Sequence, residues 1–298
     1  MAKRVIENEY LKVTVDDHGA ELISVYDKEN DMERIWNANP AVWNRHAPIL
    51  FPFVGRVYGN TYLHNGKEYE MKTQHGFARD MMFEFVAGDE NSVTHSLKAN
   101  EETLKIYPFD FELHITHRFD SENKRILKID WKVINNGEGN MYYSIGGHPG
   151  FQIPTDYVIS REDYSLEFPE KASLHYILIN PENGNANVHD RYPLLLNRNA
   201  CHIARNMFEK DALIFENHQI PMVRILKPDR TPFITVDCKG FPYLGIWSKG
   251  EHDFICLEPW YGRTDDDKFT GELKDKKGEM VLAPKEEANI GYTIEFHK

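Results

Sequence analysis

The chain has 298 residues, 41% hydrophobic and 28% charged, a globular balance that excludes long disorder and is ample for a substantial core. It carries 47 acidic against 35 basic residues, a net charge of −12, and no run of five Lys or Arg, which argues against nucleic acid as a partner. No stretch approaches the roughly 20 apolar residues of a spanning helix, and three scattered cysteines, Cys201, Cys238 and Cys256, suit neither a disulfide framework nor a zinc site.

Met1-Ala2-Lys3-Arg4 leads into an alternating segment without an apolar run, so no secretory leader is expected and a reducing cytoplasm is the expected home. The periodicity along the chain is then mostly two. Tyr10–Val15 and Ala20–Tyr26 alternate about Asp17-His18-Gly19, a hairpin pattern. Asn39-Pro40-Ala41-Val42-Trp43 can form one turn with proline leading, and Ala99–Ile106 can form a short helix. Strands are expected at 83–86, 92–97, 111–119 and 126–133, then at 140–145 across the turn Asn135-Asn136-Gly137. Further strands are expected at 164–168, 222–226, 233–238, 244–247, 254–258 and 290–296. No linker, repeat or composition break divides residues 1–298, which points to a single all-β domain, a large antiparallel β-sandwich.

Four segments can carry chemistry. In Ser144-Ile145-Gly146-Gly147-His148-Pro149-Gly150-Phe151, a histidine stands between a glycine pair and Pro-Gly at the end of a strand-like run. Imidazole titrates near neutrality and can give or take a proton, although a histidine in a turn can also merely cap a strand. In Phe254–Glu258, followed by Pro259-Trp260-Tyr261, an apolar strand ends in a carboxylate beside aromatics, which suits a general base or a plain strand end. Gln74-His75-Gly76-Phe77-Ala78-Arg79-Asp80 offers a second histidine and an arginine fit for oxyanions or hydroxyls, or an ordinary loop with an Arg-Asp surface pair. Arg56 closes the apolar run 47–55, so it must find ring hydroxyls or a core carboxylate.

Other patterns are weaker. His114 and His117 point to opposite faces of one strand and read as surface histidines. Asp265-Asp266-Asp267 lacks calcium-loop spacing and reads as a solvated acidic turn. Cys238 and Cys256 lie in apolar runs and read as buried thiols. No phosphate-binding glycine loop or serine-hydrolase elbow occurs.

Gly19-Ala20-Glu21-Leu22, the Trp36–Trp43 segment, Pro48–Arg56, His75–Asp80, Gly146–Phe151 and Leu257-Glu258-Pro259-Trp260 follow one another in an order that resembles the aldose 1-epimerase family, in its LacX-like branch. The resemblance covers nearly the whole chain. It implies the galactose-mutarotase supersandwich, interconversion of α and β anomers of a free aldose, a small sugar as partner, and neither metal nor cofactor. By resemblance His148 is the acid at the ring oxygen and Glu258 the base. His75, Arg56 and Asp211 would bind the sugar, and Trp247 would line the site; Arg79, fit for hydroxyls by its own chemistry, is a further substrate-binding candidate. Typical galactose mutarotases carry His-Gly-Gly where Phe77-Ala78-Arg79 follows His75-Gly76 here, which implies a differently shaped pocket. A hexose-6-phosphate 1-epimerase would share the His/Glu pair and add a cationic pocket, for which Arg56 and Arg79 are available. A non-catalytic sugar-binding module would keep the aromatics and lose the pair.

Overall fold

The computed structural model describes residues 2–169 and 171–298. Two antiparallel sheets dominate it. The nine-stranded sheet runs, edge to edge, through Ala200–His202, Ser165–Glu167, Met222–Leu226, Pro232–Asp237, Glu287–Phe296, Ile126–Asn135, Phe111–Phe119, Ser92–Lys98 and Glu84–Gly88. The second sheet runs through Ala186–Leu194, Leu174–Ile179, Leu213–Phe215, Tyr243–Trp247, Phe254–Tyr261, Ile145–Gly147 and Ile49–Leu50, with Gly150–Gln152 also paired to Phe254–Tyr261. A four-stranded sheet over Lys3–Glu33 and two small ribbons complete the all-β architecture. The short helix is Glu101–Ile106; the Asn100 side chain accepts from the N–H groups of Glu102 and Thr103 and so satisfies its open end. Among the described residues no helix is long and apolar enough to cross a membrane.

Alternation decides what each face of the second sheet meets. Along Phe254–Tyr261, Ile255 and Leu257 join the main apolar cluster with Leu127, Ile129, Val236 and Ile294 of the nine-stranded sheet. Phe254 and Cys256 point the other way, into a separate cluster with Trp36 and Val42. The outer face of this sheet therefore carries its own aromatic lining, and the chemistry sits there.

Several expectations need correction. The 140–145 strand is two short strands in different sheets: Met141–Tyr143 pairs with Met280–Leu282, and Ile145–Gly147 pairs with Phe254–Tyr261. The chain changes sheet at the buried Ser144, whose N–H donates to Pro52 O and whose Oγ donates to Glu279. Asn135-Asn136-Gly137 turns the chain without forming a hairpin, because Ile126–Asn135 pairs with Phe111–Phe119 and Glu287–Phe296. His117 is buried rather than on the surface, and only His114 faces outward. Asp265 is also buried, accepting from Tyr58 N–H and lying 3.8 Å from Lys276 Nζ, so the triple-aspartate run is not a solvated turn.

Candidate active site

The segment around His148 does not turn. Gly146 pairs with Trp260 and Gly150 with Cys256 in one continuous register, which sets His148 directly opposite Glu258 on the neighbouring strand. Its glycines have ordinary negative φ; they serve close approach instead. A Cβ on Gly146 would meet Trp260 Cδ1 at 2.5 Å, one on Gly147 would meet Tyr292 Oη at 2.7 Å, and one on Gly150 would meet Trp43 Cζ3 at 2.8 Å. The strand carrying Glu258 also runs on through Pro259 to Tyr261 instead of ending at the carboxylate. Leu257 donates its N–H to Pro149 O, so residue 259 faces the same side, where the opposing ladder is interrupted and a missing N–H leaves nothing unpaired.

Facing positions on adjacent antiparallel strands bring side chains together. His148 Nε2 lies 3.2 Å from Glu258 Oε1, with both side chains buried. Aromatic rings box the imidazole. Trp43 stacks on it at 4.9 Å between centroids, and Trp247 meets it edge-on at 5.7 Å. His75 stands perpendicular to it at 5.6 Å.

His75 comes from a sharply bent segment in which His75 and Gly76 have φ of 67° and 69°. Gly76 must be glycine, since a Cβ there would lie 2.3 Å from Phe51 O. The bend is pinned twice to Gly55: His75 N–H donates to Gly55 O at 2.7 Å, and Gly55 N–H donates to His75 Nδ1 at 3.0 Å. Because Nδ1 accepts, the ring proton belongs on Nε2 and His75 is held neutral as a donor. Gly55 in turn fixes Arg56, whose carbonyl accepts from Asn185 Nδ2, Thr264 Oγ1 and Asp265 N–H. The Arg56 guanidinium meets no carboxylate among the described residues. Arg79 follows Gly76 closely; its Nε is buried without a hydrogen-bond partner among the described residues and lies 3.9 Å from Asp80. Asp80 is itself paired with Arg45.

Burial sets the protonation of this group. It lifts the Glu258 carboxyl well above the usual carboxylate range, the Asp211 charge adds to the rise, and the neighbouring Trp260 indole opposes it. Burial takes His148 down to about 3, with Arg79 acting in the same direction. His75 falls well below the usual histidine value, again through burial first and Arg79 second. Two adjoining groups that both resist charge hold one proton between them: a carboxylic acid beside a neutral imidazole at rest.

The expected site residues thus fall into distinct positions. His148, Glu258, His75 and Trp247 are in mutual contact through His148. Arg56 and Arg79 lie within electrostatic reach of His75. Asp211 is exposed, in a left-handed conformation before Leu213–Phe215, and reaches Glu258 through its field rather than by contact. Sequence reading gave no role to Trp43, Arg45 or Cys256. For Cys256 a signal existed: two residues before Glu258, it projects from the same face of the strand. For Trp43 the signal was its place in the Trp36–Trp43 segment of the motif order, which does not reveal that its ring reaches His148 from a separate loop.

The family model for aldose 1-epimerase matches residues 3–269, and the chain belongs to that family. The chain is 33% identical over 295 residues to the plasmid-encoded protein LacX of Lactococcus lactis subsp. lactis, covering 97% of each chain. The structure of a galactose mutarotase related enzyme from Lactobacillus acidophilus superposes with a TM-score of 0.92 at 34% identity, covering 100% of this chain and 98% of that one. A galactose mutarotase-like protein from Lactobacillus casei gives 0.90 at 29% identity, over 99% and 100% of the two chains. The fold is the galactose mutarotase-like sandwich expected from the motifs.

Proposed function

We propose that the chain is an aldose 1-epimerase that interconverts the α and β anomers of a hexose by acid–base opening and reclosure of the ring. The observation that carries this reading is the 3.2 Å contact between His148 and Glu258 in a buried, tryptophan-lined place. The anomeric hydroxyl oxygen and the ring oxygen of a pyranose share one carbon, so the base on one and the acid on the other must be neighbours. Side-by-side placement of the two groups therefore serves both oxygens.

Moving the shared proton from Glu258 to His148 Nε2 creates the working pair. Glu258 then takes the proton of the anomeric hydroxyl, the C1–O1 bond becomes a carbonyl, the C1–O5 bond breaks, and His148 protonates O5. The aldehyde turns about C1–C2, and O5 adds to the other carbonyl face with the roles reversed. Arg56 and the Nε2–H of His75 donate to hydroxyls, Asp211 accepts from them, and Trp43 and Trp247 exclude water. Positioned acid–base groups contribute typically about 10²–10⁴-fold.

Polarimetry on freshly dissolved α-glucose or α-galactose tests this. Glu258→Gln and His148→Asn should each slow catalysed anomer exchange at least about a hundredfold with the melting temperature held. Full activity in either variant removes that residue from its role. Calorimetric binding without faster mutarotation by the parent protein would instead identify a binding module.

A second reading is favoured by one observation. Arg45, Arg56 and Arg79 gather on the His75 side of the site, and Asp80 is the only carboxylate paired with any of them among the described residues. This local cationic surplus in a chain of net charge −12 suits an anionic substituent such as a sugar phosphate. A higher kcat/KM on glucose 6-phosphate than on glucose would select it.

A further inference from the structure

The proton-moving pair has a third neighbour that the mechanism leaves idle. Cys256 lies on the same strand face as Glu258, directly opposite Trp247 and paired with Gly150. One ligand atom from each of His148, Cys256 and Glu258 lies within 4.8 Å of the others, and all three residues are buried. We propose that His148 Nε2, Cys256 Sγ and a Glu258 oxygen form a binding site for a thiophilic divalent cation such as zinc, which occupies the site reversibly and blocks it.

The donor set argues for the class of ion. One imidazole nitrogen, one thiolate and one carboxylate leave a fourth position open, the pattern of three-ligand zinc sites. Magnesium and calcium take oxygen and do not compete for a thiolate. Zinc–ligand bonds of about 2.0–2.3 Å place tetrahedral ligands about 3.5 Å apart, so the widest gap must close by about 1 Å, within reach of a cysteine rotamer change. Charge balance favours occupancy of a buried place: zinc with thiolate, carboxylate and neutral imidazole carries no net charge. Two protons leave to solvent, one from the thiol and one shared by His148 and Glu258. Occupancy is expected to be reversible rather than permanent. His148 Nδ1 is buried without a partner among the described residues, so the outer hydrogen bond that usually steadies a ligating histidine is missing.

The site itself stands on geometry. Only its inhibitory consequence rests on the epimerase reading, and the test separates the two. Cobalt(II) titrated into the intact protein should give a near-ultraviolet thiolate-to-metal band saturating at one equivalent. The band should be lost in Cys256→Ser and kept in Cys201→Ser, which removes a half-buried thiol elsewhere. Magnesium should not displace it. Zinc should inhibit mutarotation, EDTA should restore it, and Cys256→Ser should need at least about tenfold more zinc for half-inhibition of its own metal-free rate. A missing band, or a band indifferent to the Cys256 substitution, overturns the site. If Cys256→Ser does not fold, X-ray absorption on the zinc-loaded parent protein decides: one sulfur among the zinc neighbours supports the site and none overturns it. Normal metal binding in a protein without mutarotase activity would leave the site standing and sink the epimerase reading alone.

Discussion

His148 and Glu258 have to be read as one titrating unit. Burial raises the carboxyl and lowers the imidazole, so each group prefers its neutral form and a single proton serves both. In the proposed mechanism the working state needs that proton. A second is added only as pH falls toward the value of about 3 to which burial takes His148, and then no base remains. The first is lost only well above the ordinary carboxylate range, and then no acid remains. The pH profile of kcat/KM should therefore show no acid limb at the ordinary histidine value of about 6.5. Polarimetry between pH 4.5 and 9, with unfolding followed in parallel, checks this. A one-proton limb centred near 6.5 would mean that His148 titrates as a solvated ring, contrary to its box of Trp43, Trp247 and His75.

The strands holding that unit are kept in place by one flat side chain. Trp260 lies across its neighbours on both sides, with Gly146 under one edge of the indole and Gly245 under the other. Gly245 is the register partner of Glu258, and a Cβ there would sit 2.3 Å from Trp260 Cη2 and Cζ2. Gly245→Ala must therefore displace the indole, which neighbours the Glu258 carboxyl. Overpacking of this kind costs typically about 1–3 kcal/mol. Denaturant unfolding should report a loss of that size together with a lower kcat; unchanged stability would show that the ring has room to move. Such contacts explain what the sequence displayed and what it hid. The alternating runs at 111–119, 126–133 and 222–226 announced their strands, because each has one face in the core. Short strands such as Ile49–Leu50 and Leu213–Phe215 were missed, since two or three wholly buried residues have no alternation to show. The glycines around His148 looked like turn residues because sequence records the absent side chain and not the tryptophan above it. The motif order brought His148, Glu258 and His75 into view, whereas the facing register of His148 and Glu258 belongs to the pairing of distant strands.

Across the whole molecule, charge is placed where no local pattern predicts it. Lys274-Asp275-Lys276-Lys277-Gly278-Glu279 is charged at every position but Gly278, yet the side chains of Lys276 and Glu279 are only 2% and 1% exposed. Glu279 receives the hydroxyl of Ser144 at 2.6 Å, at the point where the chain passes from one sheet to another, and lies 3.3 Å from Lys276 Nζ. Lys276 in turn donates to Arg263 O at 2.5 Å. This cluster ties the 263–279 loops to the seam between sheets, and it carries a pH-dependent part of the stability. Burial raises the Glu279 carboxyl to about 7, against the opposing pull of Lys276 and Ser144, from an unfolded value of 4.5. A raised folded value means that the folded chain binds the proton more tightly than the unfolded chain. The stabilisation is therefore complete below 4.5 and is lost as pH climbs to about 7. Glu279→Gln preserves the shape and removes the titration. Between pH 5 and pH 8 the stability of the parent protein relative to this variant should fall by roughly 2–3 kcal/mol. Urea unfolding of both proteins at the two pH values measures it. A difference that does not move with pH would mean that Lys276 keeps the carboxylate charged throughout, and that the seam is held by an ion pair instead of by a buried acid.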